Sequence, residues 1–194
     1  MAITRLSGTN AISGTLPAAN INDTSISNIT ALPAGVGGKV LQVVTATKTD
    51  TATTSSSSFS DITGLSVSLT PSSASNKILV IGDISGASNS GLAGVGFRLV
   101  QTISGSDTYP YIGDSASSRT RASFGAYVSS DASFQGKYSS SVLLSPNTTS
   151  AVTIKYQFRS QNSNAVYLNR SVSDGNSSDQ YRNASSITIM EIAG

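Results

Sequence analysis

The side chains that could do chemistry in this chain are carboxylates, tyrosines and hydroxyls, because the sequence contains no histidine and no cysteine. The commonest general base, the thiol nucleophile and the usual transition-metal ligands are therefore missing. Acid–base catalysis would need two carboxylates held at a defined separation. The candidates are Asp83, Asp107, Asp114, Asp131, Asp174 and Asp179. Nearly all of them lie in turn-like stretches, where aspartate commonly shapes the backbone, so we predict no catalytic residues and no enzyme.

Other patterns that could carry chemistry are incomplete. The glycine-rich stretches 82–88 and 91–96 are not followed by Gly-Lys-Ser/Thr and open no helix, so we interpret them as loops or a strand entry. Residues 174–179 offer oxygen ligands in a short loop, but they lack the EF-hand spacing and a bidentate glutamate. We therefore predict neither a metal ion nor a cofactor.

Tyrosines with polar neighbours are the remaining candidates for ligand binding. An aromatic face beside polar side chains can hold a sugar ring, and several tyrosines fall in or near loop-like stretches. The predicted glycan-binding residues are Tyr109, Tyr111, Asp114, Tyr181 and Arg182. Burial of each tyrosine with its hydroxyl hydrogen-bonded is the alternative, and the chain has no tryptophan to strengthen the sugar interpretation.

The low charge of the chain indicates which elements and partners to expect. Only 11% of the residues are charged, against about 25% in an average globular domain, and Glu191 is the sole glutamate. Few charges and many hydroxyl side chains favour strands over surface helices. The net charge is +2 without any run of Lys or Arg, so we predict no nucleic-acid binding. No apolar stretch is long enough to span a bilayer, so we predict no membrane insertion.

Alternating apolar residues predict antiparallel strands throughout residues 38–194. Within 151–159, the four alternate residues from Val152 to Phe158 share one face, as in a half-buried strand. Further candidate strands are 65–69, 95–100 and 122–128. Serine- and asparagine-rich clusters mark the turns between them. Eight or so short strands without a helical pattern indicate an all-β domain, an antiparallel β-sandwich of jelly-roll-like type.

Three predicted strands, 40–44, 78–81 and 187–192, are apolar on both faces. A strand of a two-sheet sandwich normally buries one face and exposes the other, so the second face needs a cover. A neighbouring subunit could supply it, and we predict a homotrimer. The predicted interface residues are Val40, Val44, Leu79, Ile81, Met190 and Ile192. Loops of the same chain are the alternative cover.

Residues 1–37 differ from the rest and predict an extended N-terminal arm. Single apolar residues recur there every three to five positions among small polar ones: Ile12, Leu16, Ile21, Ile26, Ile29 and Leu32. Such a segment cannot bury enough apolar surface to fold alone. Its apolar residues are predicted to dock on a partner or on sister arms, and a disordered linker is the alternative.

Several stretches together resemble a known family: 38–49, 58–71, 75–80, 166–171 and 185–192. They are similar to the β-rich fibre, spike or decoration proteins of tailed, especially marine, bacteriophages. The resemblance covers residues 38–194, least clearly within 84–140.

The resemblance implies a non-enzymatic virion structural protein on the virion surface. Its N-terminal arm would be held by a major capsid or tail protein, and its β-head would project as a homotrimer. The alternative within the same family is a host-receptor-binding adhesin, a tail-fibre tip that recognises a surface glycan. The resemblance transfers no catalytic residue.

Overall fold

The computed structural model describes residues 39–88, 94–127 and 131–194. These residues belong to one compact unit, Gly38–Gly194. The predicted arm, residues 1–37, and its six predicted docking residues lie outside the described residues.

The described residues contain eleven strands and no helix. The strands are β1 Val40–Lys48, β2 Ala52–Thr54, β3 Ser60–Leu69, β4 Lys77–Ser88, β5 Gly94–Ile103, β6 Ser106–Thr108, β7 Phe124–Tyr127, β8 Gly136–Leu144, β9 Val152–Ser160, β10 Val166–Leu168 and β11 Ser185–Ile192. The prediction of an all-β domain is confirmed.

The strands form two antiparallel sheets. In the first sheet the order is β1-β11-β4, and β8 pairs with the other edge of β4. The short β10 pairs with the end of β4 and with β2. In the second sheet the order is β3-β9-β5, and β5 also pairs with the hairpin partner β6 and with β7.

Both sheets contribute side chains to one hydrophobic core. The first sheet supplies Ile78, Val80, Ile84, Ile187 and Ile189, and the second supplies Phe97, Leu99, Ile154, Tyr156 and Phe158. The predicted alternation of β9 is therefore confirmed, since its apolar residues are buried. Gln157 is the exception on the other side of β9, because it is also buried.

The glycine-rich stretch 82–88, predicted to be a loop or a strand entry, forms the C-terminal part of β4. A Cβ at Gly82 would lie 2.0 Å from the Tyr156 hydroxyl oxygen, and one at Gly86 would lie 2.7 Å from Cζ of Phe97. Two aromatic rings of the second sheet thus pack directly against the backbone of β4, which only glycine permits.

Glu191, on β11, is a buried carboxylate without a cation beside it. It is 1% exposed and accepts hydrogen bonds from Asn76 Nδ2 (2.6 Å), Gln42 Nε2 (2.5 Å) and the amide and hydroxyl of Ser72 (2.6 and 2.8 Å). Burial acts to raise its pKa, but the hydrogen bonds outweigh burial and hold the pKa of Glu191 at about 2. The carboxylate thereby ties β1, β11 and the turn between β3 and β4 together.

Glu191→Gln should destabilise the fold and weaken its response to acid. A neutral amide leaves several donors without their charged acceptor, which costs roughly 1–3 kcal/mol. Because the pKa of Glu191 is lower in the folded state, its contribution to stability is present above about pH 4.5 and is lost as pH falls towards 2. Urea unfolding at a series of pH values measures both effects. Asp114→Asn, at an exposed position, serves as the control; equal acid dependence in Glu191→Gln and wild type would contradict the prediction.

Gly82→Ala should destabilise the fold by about 2–3 kcal/mol, because the new methyl group would overlap the buried Tyr156 ring. Gly113→Ala is the matched control, since nothing lies within 4 Å of a Cβ at that position. Thermal unfolding of both variants measures the difference. Equal melting temperatures would show that the two sheets do not pack through Tyr156 and Gly82.

Candidate functional site

The aspartates considered for catalysis are dispersed and engaged in local contacts. Asp83 binds Lys137 at 2.7 Å, Asp107 binds Lys155 at 3.4 Å, and Asp174 binds Arg182 at 2.7 Å. Asp131 accepts a hydrogen bond from the Ser133 amide, and Asp179 accepts one from the Ser177 hydroxyl. Asp114 is exposed. In the described part of the chain, no group of three or more acidic side chains lies close enough together to hold a metal ion.

The five predicted glycan-binding residues lie in two places. Tyr109, Tyr111 and Asp114 follow β6, whereas Tyr181 and Arg182 lie between β10 and β11. No hydrogen bond, ion pair or ring contact joins the two groups. Their surroundings also differ, because the Tyr109 ring stacks on the Arg98 guanidinium at 3.8 Å while Tyr181 is 66% exposed.

The predicted interface residues lie mainly on the outer side of the first sheet. Side chains alternate along each strand, and Ile187, Ile189 and Glu191 face inward, so Met190 and Ile192 face outward. On β4, Ile78 and Val80 are buried, so the alternate residues Leu79 and Ile81 point to the outer side of the sheet. Val44 differs from the prediction, because its side chain points to the inner side of the sheet and packs against the core. Val40, at the start of β1, is 48% exposed.

An exposed apolar patch results, which we call the apolar face. It comprises the exposed residues Val40, Leu41, Val43, Ile81 and Leu143 and the half-buried residues Leu79, Met190 and Ile192. The register places Val43 beside Met190, Met190 beside Leu79, and Leu79 beside Leu143, so one apolar row crosses all four strands. Val43 is 54% exposed and Leu143 is 51% exposed. Leu143 was not predicted, because the serine-rich sequence of β8 gave no clear strand pattern.

The second sheet carries a different surface on its outer side. Four arginines line a groove there: Arg98 on β5, Arg119 and Arg121 before β7, and Arg159 on β9. Together with Phe59 and Tyr109 they form what we call the arginine groove, with a volume of about 620 Å³. A second cavity of about 590 Å³ adjoins it and shares Arg119, Thr120 and Arg159.

The sheet and its loops hold these guanidinium groups in position. Arg98 lies between two rings, 4.2 Å from the centroid of Phe59 and 3.8 Å from that of Tyr109. It also donates two hydrogen bonds to Gln157 Oε1. Arg159 lies across Gly96, its partner in β5, where a Cβ would approach Arg159 Cγ to 3.0 Å. Packing on the sheet therefore orients both side chains.

A separate ion cluster lies beside the groove. Lys155 binds Asp61 at 3.0 Å and Asp107 at 3.4 Å. The hydrogen bond to Asp61 raises the pKa of Lys155. Burial acts to raise the pKa of Asp61, but hydrogen bonds from Gln157 and Lys155 and the charges of Lys155 and Arg98 lower it overall. The carboxylates on this side of the sheet are thus engaged by Lys155.

The arginine groove could not be found by scanning the sequence for basic runs. Its four arginines come from three separate segments, and only the pairing of β5 with β9 and the path of residues 109–123 bring them together. The one sequence feature that could have indicated a basic surface was the short spacing of Arg119 and Arg121.

Among the described residues there is no helix with the length and apolarity needed for a membrane crossing. The chain matches no protein-family model, and a search of curated proteins finds no similar sequence. Its function must therefore be inferred from its residues and their geometry.

Proposed function

We propose that this chain is a non-enzymatic virion structural protein of a tailed bacteriophage, a short trimeric fibre, spike or decoration protein on the virion surface. The observation that carries the proposal is the apolar face. Soluble monomers rarely leave a contiguous apolar patch of this kind uncovered, so its presence favours assembly. The sequence resemblance to β-rich phage structural proteins indicates the kind of assembly.

The proposed occupant of the apolar face is a second copy of the chain. The charged residues on the outer side of the same strands, Lys77 and the Asp83–Lys137 pair, flank the patch rather than interrupt it. Such a surface needs an apolar partner, and each further copy supplies one. Three copies related by a rotation axis would close the assembly.

The strand order supports the more specific proposal that the β-sandwich is a jelly roll. Along the chain β1, β4, β8 and β11 belong to one sheet, and β3, β5, β7 and β9 belong to the other. Most long connections therefore cross between sheets, as they do in a double Greek key. Two facing four-stranded layers are the architecture of a jelly-roll sandwich.

The proposed role of residues 1–37 is attachment. The apolar residues spaced along this arm would dock on a major capsid or tail protein, so that the head projects from the particle. The apolar face includes Val40, which follows the arm closely in sequence. If copies associate through this face, the points where their arms begin would lie near one another.

A host-receptor-binding adhesin is the second candidate function. The observation that favours it is the exposed tyrosine Tyr181 beside Arg182, in a loop that is free to meet a host surface glycan. Adsorption of the protein to host cells, compared between wild type and Tyr181→Ala, would separate an adhesin from a purely structural protein.

The solution mass tests the proposed assembly. Size exclusion with light scattering should give three times the chain mass for the wild type. Val43→Lys/Leu143→Lys should give the mass of one chain, because two exposed positions of the apolar face would become charged while the core is untouched. Thr63→Lys, exposed on β3 of the other sheet, is the control and should remain trimeric. A monomeric wild type would contradict the proposal.

The same measurement on a chain lacking residues 1–36 locates the contacts. An unchanged trimer is expected, because the apolar face lies in residues 40–192. A monomer would move the assembly contacts into the arm.

A further inference from the structure

The arginine groove holds positive charge that the described chain offsets only in part, through the interaction of Asp61 with Arg98. Elsewhere Lys48, Lys137, Lys155, Arg170 and Arg182 each have a carboxylate oxygen within 4.0 Å. Among the described residues, none of the four groove arginines has such a partner. Both arginines outside the groove within residues 39–194, Arg170 and Arg182, are paired. The exposed Lys39 and Lys77 are unpaired in this range as well, but the groove brings four unpaired cations together.

Neutral acceptors hold three of the four groove arginines instead. Arg98 donates to the side-chain oxygen of Gln157, Arg159 donates to the Thr120 hydroxyl, and Arg121 Nε donates to the backbone oxygen of Gly113 at 2.7 Å. These acceptors fix the direction of the three guanidinium groups without cancelling their charge. A ligand anion would therefore meet donors that are already oriented, which lowers the entropic cost of binding.

The groove combines these cations with hydroxyl groups. Ser57, Ser58 and Thr120 line it beside the arginines. Its volume of about 620 Å³, with a further 590 Å³ next to it, is in the range of small-molecule sites and suits a few sugar units. Guanidinium forks bind planar carboxylates and tetrahedral sulfates bidentately, and hydroxyl side chains exchange hydrogen bonds with sugar hydroxyls.

We propose that the arginine groove binds an acidic saccharide, with its carboxylate or sulfate groups on the arginines and its hydroxyls on the serines and threonine. The site includes Tyr109, one of the five predicted glycan-binding residues, whereas Tyr111, Asp114, Tyr181 and Arg182 do not line it. It lies on the second sheet, whereas the apolar face lies on the first, so binding does not depend on the proposed assembly.

Two other anionic ligands fit the groove less well. A single-stranded nucleic acid needs free aromatic faces for its bases, but Phe59 and Tyr109 already stack on Arg98. It also needs a long basic track, and the whole chain carries a net charge of only +2. A peptide that binds by strand addition needs an open sheet edge, whereas Arg98 and Arg159 lie on β5 and β9, which are interior strands of their sheet.

Calorimetric titration of the full chain tests the proposal. The probes are tri-galacturonate, a sulfated heparin tetrasaccharide and the neutral maltotriose. At least one acidic probe should bind and maltotriose should not. The two acidic probes distinguish a carboxylate from a sulfate ligand. Failure of both acidic probes to bind, or equal binding of maltotriose, would overturn the proposal.

Two matched double variants test whether the groove is the site. Arg119→Gln/Arg121→Gln should weaken binding at least about tenfold, since two charge-assisted contacts are lost at exposed positions that do not support the core. Lys39→Gln/Lys77→Gln removes the same charge from exposed positions elsewhere and should change the affinity less than about twofold. Equal weakening by both variants would mean non-specific attraction and would overturn the proposal.

Two further probes separate the ligand classes. A hexa-aspartate peptide and a short oligothymidylate should bind more weakly than the best acidic saccharide. Tighter binding of either one, abolished by Arg119→Gln/Arg121→Gln, would assign the groove to a peptide or a nucleic acid instead.

Discussion

The rest of the structure depends on the close packing of two aromatic rings against the glycines of β4. Tyr156 lies against Gly82 and Phe97 against Gly86, and the Tyr156 hydroxyl reaches Ser140 on β8 at 2.6 Å. These contacts bind the second sheet to the first across the core. They also fix which side of β4, β5 and β9 faces inward. Because side chains alternate along a strand, the composition of both outer surfaces follows from this choice.

The two outer surfaces have opposite characters. The first sheet presents an uncharged apolar face, and the second presents four arginines without a carboxylate oxygen within 4.0 Å. Apolar surface gains free energy when it leaves water, while a guanidinium fork gains specificity when it meets a planar or tetrahedral anion. Under the two proposals, the apolar face would serve assembly and the arginine groove would serve recognition of a ligand. The two surfaces lie on different sheets, so neither proposal excludes the other.

Polar residues complete the fold where the apolar core ends. Glu191 joins β1, β11 and the β3–β4 turn through hydrogen bonds. At the opposite end of β11, Asn169 joins the end of β1 and the turn after it to the start of β11. Asn169 is fully buried, donates to the backbone oxygens of Lys48 and Asp50, and accepts from the Ser185 hydroxyl. A chain with few charges thus uses single buried polar side chains, each fully hydrogen-bonded, to fix its loops.

The sequence by itself determined the all-β class and the position of most long strands, because a period of two in residues such as Val152 to Phe158 is a local property. It also indicated that β1, β4 and β11 carry apolar residues on both sides. It could not identify β8, whose serines weaken the pattern, nor the glycines of β4, whose role depends on rings far away in sequence. Only the tertiary structure decided that Val44 faces inward, that Leu143 joins the apolar face, and that Arg98, Arg119, Arg121 and Arg159 share one groove. Those outcomes depend on strand pairing and sheet packing, which bring together residues separated by tens of positions.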